Sequence, residues 1–190
     1  NYNNLIGEKL IYELYLKISQ LSKHPVWLYS SANWGKKLSF SIVNEISKLP
    51  NIKGCKYSTS NIVEMEKIIS LQNKDFIVLP AVVRSLIGCL SMGAKSATTV
   101  EACAHLEKII PIYTNFENGN LEEAFSSQLR LNRHLESLES DVGKDNFVKS
   151  AEIKSILHHL NFCERYTAKG LLDLNEIEYH KLISIEEKWV

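Results

Sequence analysis

Apolar and polar positions alternate between two rhythms over the first hundred residues. From Gly7 to Leu21, the residues Leu10, Ile11, Leu14, Tyr15, Ile18 and Leu21 fall three and four apart. That spacing predicts a helix with one buried stripe, which His24-Pro25 ends. Val26-Trp27-Leu28-Tyr29 is short, aromatic and β-branched, a strand that runs into the loop Ser30-Ser31-Ala32-Asn33-Trp34-Gly35. Ser39 is the expected N-cap of a helix reaching Lys48 with Ile42, Val43 and Ile46 inward. Pro50-Asn51 closes the unit, and Ile52 to Ser58 reads as a second strand. The same order follows again. Asn61 caps a helix through Ile62, Val63, Met65, Ile68 and Ile69, and Phe76 to Pro80 forms a third strand. Arg84 to Met92 is a short helix stopped by Gly93, and Ser96 to Val100 a fourth strand. Strands separated by helices predict a parallel sheet, because parallel neighbours need a crossover and a helix supplies it.

Beyond Val100 the alternation gives way to helices, expected over Ala102 to Asn115, Leu121 to Leu138, Asn146 to Asn161 and Asn175 to Lys188. The turn Asn118-Gly119-Asn120 announces the second of them. Ser140 to Asp145 is the candidate hinge, with Asp141 and Asp145 beside Lys144 in a solvated turn.

Composition narrows the function. In 190 residues, 45% hydrophobic and 23% charged content indicates a folded core and excludes a disordered or fibrous chain. The 22 Lys and Arg balance the 22 Asp and Glu, which removes the basic footprint of a nucleic-acid binder. With no bilayer-length apolar run and no signal-like N-terminus, a soluble, cytoplasmic protein without a membrane partner is expected. Cys55, Cys89, Cys103 and Cys163 form no C-x-x-C pair and read as reduced, mostly buried thiols.

The chain has no G-x-G-x-x-G, P-loop, G-x-S-x-G or H-E-x-x-H pattern. His158-His159 does not read as a metal site, since adjacent helical residues point about 100° apart and no third ligand has the right spacing. No metal and no cofactor are therefore assigned. Lys56 is different. Period-two alternation places Ile52, Gly54, Lys56 and Ser58 on one face of the second strand, and Lys53, Cys55 and Tyr57 on the other. On the inner face of a closed barrel the amine is desolvated near a strand's carboxyl end, which favours its neutral, nucleophilic form and a Schiff base with a carbonyl substrate. Tyr29, at the end of the preceding strand, is placed to relay a proton. The same spacing also suits a lysine on an exposed rim and a tyrosine that fills core.

Val26-Trp27-Leu28-Tyr29, Gly35, Leu38, Pro50-Asn51-Ile52-Lys53-Gly54-Cys55-Lys56 and Ser58-Thr59-Ser60-Asn61 together resemble the dihydrodipicolinate synthase, N-acetylneuraminate lyase and 2-keto-3-deoxygluconate aldolase family. Further likeness comes from Tyr2-Asn3-Asn4 with Glu8, from Asp75-Phe76-Ile77-Val78-Leu79, from Met92-Gly93-Ala94-Lys95 and from Gly119-Asn120-Leu121-Glu122-Glu123-Ala124. The resemblance implies an α/β fold, a (β/α)8 TIM barrel, of which this chain holds strands five to eight. Residues 1–115 would be the second half of the barrel and residues 116–190 a C-terminal helical extension packed on it. A complete barrel takes about 250 residues, so the chain reads as an excerpt of a longer enzyme or as a half-barrel that needs a partner.

The family likeness further implies a class I lyase, an aldolase acting on pyruvate or a 2-keto-3-deoxy sugar acid. Lys56 falls on the Schiff-base lysine and Tyr29 on the proton-shuttling tyrosine. Ser58 and Thr98 would line the substrate pocket, and Tyr2 would reach a neighbouring subunit of a homodimer or homotetramer. The chain departs from the pattern at Tyr29-Ser30-Ser31-Ala32, where the family has Y-N-x-P, at Tyr57, where it has an acid, and at Pro80-Ala81, where it has glycine. The arginine with which a dihydrodipicolinate synthase holds its aldehyde substrate has no counterpart. Altered substrate specificity is the expected result; the alternatives are dihydrodipicolinate synthase activity proper and a non-catalytic paralogue that binds a small keto acid.

Overall fold

The computed structural model describes residues 7–32, 35–146 and 149–189. The chain divides into two compact units, residues 1–99 and 100–190.

In the first unit, α1 (Glu8–Leu21) precedes β1 (Val26–Ser30), α2 (Phe40–Ser47), β2 (Ile52–Tyr57), α3 (Ile62–Ile69) and β3 (Ile77–Pro80). A 3-10 turn, Val83–Ser85, then leads into α4 (Leu86–Ser91), which ends before Gly93 at a φ of 95°. The strands pair in parallel in the order β1-β2-β3, with helices α2 and α3 in the two crossovers. Both expected caps form: Ser39 Oγ accepts from the Ile42 N–H, and Asn61 Oδ1 from the Glu64 N–H. Each satisfies one of the four backbone donors that a helix start leaves open. Leu28, Cys55, Tyr57 and Val78 from the sheet pack against Val43, Ile46, Met65 and Ile68 from the helices, all of them buried.

Two expectations fail here. The register slips between Val26 and Trp27: Val26 pairs with Ile52 but Trp27 pairs with Gly54, so Lys53 has no opposite residue. The extra residue resets the alternation. Ile52 therefore turns into the helix-side core with Cys55 and Tyr57 and does not share the face of Lys56. The fourth strand does not form either. Ser96 to Val100 runs beside the sheet without strand pairing, with a hydrogen bond from the Thr98 N–H to the Pro80 carbonyl at 3.0 Å. Its small, polar side chains bury nothing fully and give it little hold on a neighbour.

The second unit holds α5 (Ala102–Glu117), α6 (Leu121–Ser137), α7 (Asp141–Asp145), α8 (Ser150–His159) and α9 (Glu176–Glu186), followed by a 3-10 turn, Glu187–Trp189. α5 packs on α6, and Gly119 at a φ of 77° makes the turn between them, a backbone conformation that glycine adopts freely. Ala104, Leu138, Ala151, Ile156, Leu174 and Leu182 form its core. The stretch expected to be a solvated turn is the short helix α7, capped by Ser140 Oγ on the Gly143 N–H at 2.8 Å. Cys55 and Cys89 are buried, but Cys103 and Cys163 are exposed, so half of the thiols depart from expectation. No helix among the described residues is long and apolar enough to cross a membrane.

Candidate active site

Alternation along the strands sorts side chains between two faces. Leu28, Cys55, Tyr57 and Val78 meet the helices. Trp27, Tyr29, Gly54, Lys56, Ile77 and Leu79 belong to the other face. Tyr29 and Lys56 are register partners on adjacent strands, each one residue from its strand's carboxyl end, and Leu79 is the partner of Lys56 on β3. The Lys56 ammonium stands over the Tyr29 ring, 4.6 Å from its centroid. That distance is a cation–π contact, and it fixes the amine beside the phenol. Trp27 is 41% exposed and Tyr29 46% exposed. Lys56 is half-buried. The described residues therefore bring the amine and the phenol together but do not close the cavity expected around them.

Ser58 and Thr98 sit at the same carboxyl edge. The Ser58 N–H donates to the Ser30 carbonyl at 3.0 Å, the Ala81 N–H to the Tyr57 carbonyl at 2.9 Å and the Thr98 N–H to the Pro80 carbonyl at 3.0 Å. These bonds carry the ladder one step past the strands. The Ser58 hydroxyl donates to the Ala81 carbonyl at 3.4 Å, and both Ser58 and Thr98 are half-buried. Tyr2, expected to reach a neighbouring subunit, lies outside the described residues, as does Trp34.

A polar knot behind the lysine escaped the sequence reading. The Tyr57 hydroxyl is 2.6 Å from Glu64 Oε1 and 2.7 Å from the Leu38 carbonyl. Lys37 Nζ donates to Glu64 Oε2 at 2.5 Å and to Thr59 Oγ1 at 2.9 Å, and the Thr59 hydroxyl donates to Glu64 Oε2 at 2.7 Å. Burial works against the Glu64 charge, yet hydrogen bonds from Lys37, Tyr57 and Thr59 hold its carboxyl below the usual carboxylate range. Burial, reinforced by Glu64, pushes the Tyr57 phenol upward. The knot pins the loop after β1 to the loop after β2, and so fixes the backbone next to Lys56. The signal in the sequence was Asn61-x-x-Glu64, a capping-box spacing, but here the Glu64 carboxylate turns to Tyr57 and Lys37. Cys55, on the opposite face from Lys56, is pushed up to about 12 by burial, which keeps it an unreactive thiol.

Comparison with known proteins agrees with this arrangement of strands and helices. Residues 2–186 match the Dihydrodipicolinate synthetase family. The 4-hydroxy-tetrahydrodipicolinate synthase of Brachyspira hyodysenteriae is 27% identical over 137 residues, 68% of this chain and 44% of that protein. The dihydrodipicolinate synthase of Bacteroides thetaiotaomicron superposes with a TM-score of 0.86 at 20% identity, over 96% of this chain and 62% of that one. A prophage protein of the dihydrodipicolinic acid synthase family from E. coli K12, solved in complex with pyruvate, superposes with a TM-score of 0.83 at 14% identity, over 97% of this chain and 62% of that one. The chain thus spans less than two thirds of the length of the relatives it matches, and its fold is that part of theirs. On the match over nearly its whole length, the chain belongs to the dihydrodipicolinate synthetase family.

Proposed function

We propose that the chain supplies strands five to seven of a (β/α)8 barrel, with Ser96 to Val100 in the place of the eighth, and the reacting amine of a class I aldolase or lyase. Its substrate is pyruvate with an aldehyde, or a 2-keto-3-deoxy sugar acid. The observation that carries the reading is the pairing of Tyr29 with Lys56 at the carboxyl ends of adjacent strands, the ammonium 4.6 Å from the ring centroid. That end of a barrel is where such enzymes place their chemistry.

In the proposed reaction, the neutral Lys56 amine adds to the keto carbon, and the Tyr29 phenol relays a proton to the carbinolamine oxygen, which leaves as water. The resulting iminium draws electrons from the adjacent carbon. In the cleavage direction the bond between the third and fourth substrate carbons breaks as the fourth-carbon hydroxyl loses its proton. An aldehyde leaves, and the enamine of pyruvate remains on Lys56. Protonation of the enamine and hydrolysis return the amine. Ser58 and Thr98 are placed at the same edge to bind substrate oxygens. The bare apolar face of Trp27, Tyr29 and Ile77 supports the reading, since the remaining barrel strands would cover it and dry the amine. A homodimer or homotetramer is proposed for the whole enzyme, although one of the structures it resembles is of a monomeric dihydrodipicolinate synthase variant.

A second reading, condensation of pyruvate with aspartate semialdehyde, is favoured by the name of the Brachyspira relative and opposed by the missing arginine. Incubating the full-length protein with pyruvate and borohydride, then mapping the reduced adduct, tests the amine. The expected adduct lies on the peptide bearing Lys56 and is lost in Lys56→Arg. A folded protein that gives no adduct overturns the proposal. Turnover of 2-keto-3-deoxygluconate against aspartate semialdehyde separates the two substrate readings.

A further inference from the structure

Three helices of the second unit bring two histidines and a carboxylate together out of water. His105 interrupts α5 at φ −135° and ψ 30°, His134 lies in the last turn of α6, and Glu186 is the last residue of α9. Both histidines are at most 1% exposed. His134 Nε2 is 2.8 Å from Glu186 Oε2, His105 Nδ1 is 3.6 Å from Glu186 Oε1, and one donor atom from each residue lies within 4.8 Å of the other two. Yet His105 Nδ1, both ring nitrogens of His134 and Glu186 Oε2 are buried with no aligned hydrogen-bond partner. Buried polar atoms are rarely left so. The 2.8 Å approach of His134 Nε2 to Glu186 Oε2 also suits two atoms that face a shared third partner.

We propose that His105, His134 and Glu186 bind a divalent transition-metal ion of the zinc type. Two imidazoles and a carboxylate are a zinc donor set that leaves a fourth position for water, with bonds of about 2.0–2.2 Å. Atoms 2.8 to 4.8 Å apart need side-chain adjustments of about an ångström to meet those bonds. The competing cation is Lys108, whose Nζ lies 2.7 Å from Glu186 Oε1. It occupies the other carboxylate oxygen, and Glu107 Oε1 at 2.9 Å gives it a second anionic partner when the metal takes Oε2. A cleft of about 230 Å3, lined in part by Lys108, Leu131 and Trp189 but by none of the three ligands, lies beside the cluster, and the Trp189 ring lies 4.7 Å from that of His134. The ion would tie α5, α6 and α9 together at one point. His158 and His159, the adjacent pair in the sequence, stay apart from this cluster: His158 Nδ1 lies 3.1 Å from the Cys163 carbonyl, and His159 Nε2 3.5 Å from Glu187.

The test uses the full-length protein stripped by a chelator and titrated with Co2+. One equivalent is expected to bind, with visible ligand-field absorption, quenching of Trp189 fluorescence that is absent in Trp189→Phe, and displacement by Zn2+, which raises Tm. His105→Gln and His134→Gln should weaken binding at least about tenfold, while the double variant His158→Gln/His159→Gln binds as the parent does. A folded parent protein that takes up no stoichiometric Co2+, or a His134→Gln variant that binds undiminished, overturns the proposal. If the glutamine variants do not fold, X-ray absorption of the zinc-loaded parent decides: two imidazole nitrogens on the metal support the site, and a shell without histidine overturns it.

Discussion

Trp27 lies across Gly54 so closely that a Cβ on the glycine would stand 2.3 Å from Cζ3 of the indole and 2.6 Å from the Ile77 carbonyl oxygen. The ring can rotate away, but the carbonyl belongs to the paired strand and cannot. Gly54→Ala should therefore cost about 1–3 kcal/mol, read as a lower urea midpoint. Adding Trp27→Ala should recover only part of the loss, because the contact with the Ile77 carbonyl remains. Full recovery would place all of the strain in the indole.

The knot around Glu64 predicts a pH dependence. Its carboxyl is held below the value of about 4.3 for an unfolded glutamate, so its stabilisation is complete above that pH and fades as pH falls through the lower folded value. Glu64→Gln should be less stable than the parent at pH 7. Denaturation midpoints measured from pH 7 downward should converge below about pH 4. A constant gap across that range would show that the charge of Glu64 contributes nothing.

Tyr29→Phe separates the ring from the hydroxyl. The ring still underlies the Lys56 ammonium at the position it holds now, so stability should change by less than about 0.5 kcal/mol. If the phenol relays the proton, pyruvate adduct formation in the full-length protein should slow by about a hundredfold. An unchanged rate would leave Tyr29 as packing alone.

Ser140 caps α7 and also donates to Glu152 Oε1 at 2.7 Å, while the buried Glu152 carboxylate crowds Gly143. Ser140→Ala removes both interactions at once. A loss of about 1 kcal/mol is expected, with faster hydrogen exchange at the Gly143 amide.

The strands through Pro80 and the helices beside them were legible because each rests on local chemistry: apolar spacing, and caps at Ser39 and Asn61. Tyr29 and Lys56 were legible as neighbours for the same reason, since parallel pairing puts equivalent strand ends side by side. What failed was decided between elements. Whether Ser96 to Val100 forms a strand depends on its partner strands, and the side taken by Ile52 depends on a register slip that no period within the sequence records. Helix α8 starts at Ser150, not Asn146, whose side chain instead bonds the Leu172 backbone in both directions, 26 residues away. His105, His134 and Glu186 span three helices, so spacing rules built on one turn of helix could not join them.

Lys53 is supernumerary in its strand: the residues on either side of it pair with consecutive positions of β1, and its own side chain is exposed. A homologue one residue shorter at that point would superpose on this chain with its lysine aimed the same way. A deletion between Gly54 and Lys56 would instead swap the amine with the phenol of Tyr57, burying the first and baring the second. Among relatives, then, the location of a gap in β2 says more about whether the chemistry survives than the percentage of residues shared.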